Sequence, residues 1–78
     1  MIKISKIELV EYGVDAAEVS RQNIPIPVAS FSSMSEIKQV LSDVYKFGEW
    51  RQNGQIFVCN YVKNDVAFVL TATVKIIG

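Results

Sequence analysis

GEWRQNGQIFVCNYVKNDVAFVLTATVKI, residues 48 to 76, decides the fold. β-branched and aromatic residues crowd it, two turn dipeptides divide it into three segments, and the spacing has a period of two rather than a helical one. Asn53-Gly54 is a strong hairpin signal, and Asn64-Asp65 supplies a second turn. Residues 49 to 52, 55 to 62 and 66 to 77 therefore read as three antiparallel strands. A two-residue loop at Asn53-Gly54 sets Trp50 opposite Phe57. A turn at Asn64-Asp65 sets Tyr61 against Phe68, Cys59 against Leu70 and Phe57 against Ala72. Directly opposed residues share a face. One face then carries Trp50, Phe57, Cys59, Tyr61, Phe68, Leu70, Ala72, Val74 and Ile76, and is the core side.

The other face carries Arg51, Ile56, Val58, Asn60, Val62, Ala67, Val69, Thr71, Thr73 and Lys75. A solvated face is more polar than this. Ile56, Val58, Val62 and Val69 form an apolar patch with two readings. It is either covered by residues 2 to 29 in a rolled sheet or small barrel, or left for another protein or a second copy of the chain. Arg51, Ile56, Val58, Asn60, Val62, Val69 and Thr71 are accordingly the candidate partner-binding residues.

Upstream lies SMSEIKQVLSDVYKF, residues 33 to 47, which reads as a helix. Ser33 and Glu36 are spaced as a capping box. Met34, Ile37, Val40, Leu41, Val44 and Phe47 recur at helical spacing to form the buried stripe. Lys46 falls in the expected last turn, and Gly48 is placed to stop the helix.

Residues 2 to 12 read as a strand whose alternation breaks, since Ile2 and Ile4 share one parity and Ile7 and Leu9 the other. Either a bulge near Ser5-Lys6 restores one apolar face, or both faces are partly covered. Gly13-Val14-Asp15 offers a turn. A short helix from Ala16 to Ser20 competes with a second strand over residues 18 to 29, and the strand is preferred. Pro25 and Pro27 cannot donate to a ladder, so this strand is an edge or leaves the sheet near Ile24.

The order β-β-α-β-β-β makes the chain an α+β domain over residues 1 to 78, with a single helix packed on a mostly antiparallel sheet. The arrangement is similar to a β-grasp domain, in which a helix crosses a mixed sheet; that similarity implies nothing about function.

Composition narrows the chemistry. Eight Lys plus Arg balance eight Asp plus Glu, leaving no surplus for a phosphate backbone. There is no histidine and one cysteine, which excludes a Cys/His zinc site and the commonest general base. Cys59 lies on the apolar face, where burial disfavours the thiolate. Glu8, Glu11, Asp15 and Glu18 are not spaced as a calcium loop and read as solvated. Ser32, Ser33 and Ser35 read as caps rather than an anion site. No cofactor, metal ligand set or catalytic residue is expected.

A lone cysteine suits a reducing compartment such as the cytoplasm. Ser5, Lys6 and Glu8 interrupt any signal-peptide apolar core, and no apolar run approaches a membrane span. The expected function is a small non-catalytic protein-interaction or assembly module, such as an inhibitor, adaptor or structural accessory. The alternative is a single-stranded nucleic-acid binder. GQIFVCNYV, residues 54 to 62, resembles the glycine-then-aromatic strand of an RNA-recognition sheet, but no basic residue stands where that motif has one.

Overall fold

The computed structural model describes residues 1–13, 15, 17–26 and 30–77. Its elements are β1 (Ile2–Tyr12), β2 (Glu18–Ile24), α1 (Met34–Val44), β3 (Trp50–Asn53), β4 (Ile56–Lys63) and β5 (Val66–Ile76). The strands form one five-stranded sheet in the order β2-β1-β5-β4-β3. Every ladder is antiparallel, so the mixed sheet of a β-grasp domain is not what forms. The helix packs on one face of the sheet, and Ile37 and Leu41 are sealed in one cluster with Ile4, Ile7, Phe31, Trp50, Phe57, Cys59, Leu70, Ala72 and Val74.

β1 joins the sheet through β5, and its bulge settles the parity question. Ile4 pairs with Val74 and Lys6 with Thr73, leaving Ser5 as the extra residue. The Ser5 hydroxyl donates to the Thr73 carbonyl at 3.1 Å, which anchors the bulge. Ile2 and Ile4 thus rejoin Ile7 and Leu9 on the helix side. β2 is an edge strand that ends at Ile24, one residue before Pro25, as proline's missing donor requires. Residues 18 to 20 are strand rather than helix; Val14, Ala16 and residues 27 to 29 lie outside the described residues.

The first hairpin turn differs from expectation. The central residues are Gly54 and Gln55, not Asn53 and Gly54: Asn53 pairs with Ile56 and Trp50 with Cys59 rather than Phe57. Gly54 alone has positive φ, at 65°, as a type II′ turn requires at its first central residue. Moving the turn by one residue shifts each cross-strand pair by two, so parity is kept and Trp50 stays on the core face. Asn64 and Asp65, with φ of 52° and 65°, form the turn with two left-handed residues, and the expected β4–β5 register is the one observed.

The helix is shorter than its apolar spacing suggests. It stops at Val44, and Tyr45 caps it by donating its backbone N–H to the Leu41 carbonyl at 2.8 Å. The Trp50 indole donates to the Tyr45 carbonyl at 3.1 Å, occupying the acceptor that a continuing helix would offer to residue 49. Tyr45 therefore replaces Val44 against the core, while Val44 and Phe47 are exposed. Lys46 lies past the last turn. Gly48 does not stop the helix; a Cβ there would meet the Asn60 carbonyl oxygen at 3.1 Å. Half of the capping box forms: Ser33 Oγ accepts from the Glu36 N–H at 3.2 Å, but the Glu36 carboxylate reaches Ser32 instead of Ser33.

Candidate functional site

The sheet alternation places all seven candidate residues on the face away from the helix. Arg51 is opposite Val58, Val58 opposite Thr71, and Asn60 opposite Val69. Ile56 and Val62 occupy the same face of β4, and are 38% and 72% exposed. Val58, Val69 and Thr71 are half-buried by their neighbours. Arg51, Gln52, Asn53 and Val58 line an open depression of about 320 Å³ beside the β3–β4 hairpin.

Among the described residues, the cover that residues 2 to 29 would supply in a rolled sheet or small barrel is not there. Residues of β1 and β2 extend the sheet sideways and do not fold across it, because β1 pairs with β5 along its edge. They add to the face instead. The bulge puts Lys6, Glu8, Val10 and Tyr12 beside Thr73, Thr71, Val69 and Ala67. These residues escaped the sequence reading because their parity depends on which strand β1 joins, a long-range choice; the broken alternation at Ser5 was the usable signal.

The β1–β2 border of this face carries an ion ladder. Glu8 accepts from Lys6 at 3.1 Å and also from Arg21, which forks to Glu18 at 2.6 Å. The Lys6 hydrogen bond, with Arg21 beside it, holds the Glu8 carboxyl below its ordinary range. Arg21 does the same for Glu18 through its hydrogen bond. Val10, between these groups and opposite Arg21, is buried although no second layer lies over it among the described residues. Its cross-strand position places the aliphatic stem of Arg21 beside it, and such stems cover apolar surface while their charged ends stay in water.

On the helix side, the rings needed for base stacking are occupied. Trp50 and Phe57 are sealed in the core. Tyr61 lies between Phe47 and Phe68, with ring centroids at 4.7 and 4.9 Å and nearly parallel planes. Both faces of Tyr61 are thus taken. Burial pushes the Cys59 thiol up, which disfavours the nucleophilic thiolate. Among the described residues, no group of three or more His, Cys, Asp or Glu side chains gathers as a metal site. None of the helices there is long and apolar enough to cross a membrane.

Comparison with family models, with curated proteins and with solved structures gave no match.

Proposed function

We propose that this chain is a small non-catalytic protein-interaction or assembly module, acting through the sheet face that bears Ile56, Val58, Val62 and Val69. One observation carries the reading. All five strands lie in a single sheet with the helix on one side, so the opposite face presents apolar side chains without a second layer among the described residues. Removing such surface from water stabilises an assembly by roughly 25 cal/mol per Å² before association costs. The balanced charge, the absence of histidine and the buried, protonation-favouring site of Cys59 point the same way. A reducing compartment such as the cytoplasm suits the lone thiol.

Site-specific photo-crosslinking tests this. A photoreactive residue at Val62, irradiated in cells that produce the chain, is expected to give a covalent protein adduct; the same residue at exposed Lys38 on the helix is not. Equal labelling at both positions, or none at Val62, would sink the proposal.

A further inference from the structure

The two ends of the open face differ in the sign of their charges, while Glu8 and Arg21 between them are paired within the chain. At the end holding the chain termini, Lys3 and Lys75 stand opposite each other, with Lys6 one step inward. At the other end lie Glu18, opposite Tyr12, and the exposed turn residues Asp15 and Asp65. Between them sits the apolar patch. The middle of this pattern falls on the row of Leu9, Leu70 and Cys59. Counting outward from that row, Ile56 and Val62 are equally far from it on β4, as are Lys75 on β5 and Asp65 in the turn that precedes β5.

A two-fold axis lying in the interface plane, perpendicular to the strands and crossing that row, reverses strand direction while keeping strand position. It lays Ile56 over Val62 of the partner subunit and Lys75 over Asp65 of the partner subunit. Lys3 comes over the β1–β2 turn that holds Asp15 of the partner subunit. The alternative axis, along the strands, would stack lysines on lysines. Resting on the interface reading above, we infer that the open face binds a second copy of this chain, sheet against sheet, with the strands antiparallel across the two-fold. Residue i then meets residue j and j meets i, as an isologous interface requires. The small angle between twisted sheets that pack face to face is compatible with this overlay.

Area and charge agree. Five strands at ~4.8 Å spacing, with about eight residues each at ~3.3 Å rise, give a plane on the order of 600 Å² in projection. Side-chain relief brings it near the ~800 Å² per partner of a standard interface. The chain has 5123 Å² of accessible surface, above the roughly 4,700 Å² expected of a compact 8.7 kDa monomer. Zero formal net charge imposes no long-range repulsion between copies. The internally paired Lys6–Glu8–Arg21–Glu18 ladder forms a polar border to the apolar centre.

Sedimentation equilibrium of the purified chain across micromolar to millimolar concentration is expected to show twice the 8.7 kDa chain mass. Lys75→Glu changes an exposed residue and removes a repulsion with Lys3, so it leaves the fold intact. It should weaken the dimer about five- to tenfold, since two symmetric pairs become repulsive. Ile56→Cys combined with Val62→Cys should oxidise to a covalent dimer, whereas Ile56→Cys alone should not. A chain that stays monomeric throughout, or a dimer that ignores Lys75→Glu and is not trapped by the cysteine pair, overturns the inference. The Val62 crosslink separates the two levels. An adduct heavier by a foreign protein, from a chain that is monomeric alone, refutes the second copy and leaves the interface reading standing; no adduct refutes both.

Discussion

Leu41 shows how much one side chain contributes in so small a core. It has no exposed surface and shares its cluster with Trp50, Phe57 and Leu70. Leu41→Ala is expected to cost about 2–4 kcal/mol through lost transfer energy and the cavity left behind. That is a large part of the stability a small domain has. A urea melt showing less than ~1 kcal/mol of loss would remove Leu41 from the core. Cys59 gives a second test at this scale. Its folded pKa is raised by burial, so the folded state holds the thiol proton more tightly than the unfolded state does. Stability is therefore full below the ordinary thiol range and falls as pH rises through it toward the folded pKa. Cys59→Ser should change the steepness of that alkaline decline; an unchanged alkaline limb would show that the thiol is not responsible.

At the scale of elements, the turns and caps explain where the chain changes direction. Gly54 has φ of 65° and open space where a Cβ would go. Gly54→Ala should thus cost about 1–2 kcal/mol from backbone conformation alone. A neutral substitution would mean that residue 54 does not hold positive φ in the folded chain, so that the turn is not centred on Gly54-Gln55. The helix start depends on Ser33, whose hydroxyl accepts from the Glu36 N–H. Ser33→Ala is expected to cost about 1 kcal/mol in a thermal or urea melt. Ser32 also holds the Glu36 carboxyl below its ordinary range through its hydroxyl and backbone N–H. The helix end, by contrast, is set from outside the element: Trp50 takes the Tyr45 carbonyl, and no pattern within residues 33 to 47 announces that.

For the whole molecule, the decisive property is that, among the described residues, a one-layer sheet carries a helix on one side only. The radius of gyration is 13.0 Å, against roughly 11.5 Å for a compact domain of this length, because the strands extend as an elongated plate. Val58→Asp puts a charge on the open face without touching the sealed cluster. It should leave the far-UV spectrum and urea midpoint of the isolated chain nearly unchanged while reducing association. Unfolding of that variant as a monomer would make the face internal core. Acid exposes the other side of the balance. Glu8, Glu18 and Glu36 all have depressed folded pKa values, so their contribution is present above the ordinary carboxylate range and lost as pH falls through it. Glu8→Gln should flatten the acid limb of a stability profile, and an unaltered limb would remove its ladder from the account.

Local chemistry determined much of this protein by itself. The Asn64-Asp65 turn set the β4–β5 register residue by residue, because left-handed backbone at two adjacent positions suits few residue types. Strand alternation then assigned Trp50, Phe57, Cys59 and Leu70 to the core, and even a misplaced first turn could not undo that parity. The seven candidate residues share one face for the same reason. Tertiary structure alone decided that β1 lies beside β5, that the bulge at Ser5 turns Glu8 and Val10 to the open face, and that residues 18 to 24 widen the sheet rather than cover it. Such pairings join residues more than seventy positions apart, as between Ile2 and Ile76. Their choice depends on the combined burial of several elements and on loop-closure entropy, neither of which leaves a periodic mark in any one stretch of chain.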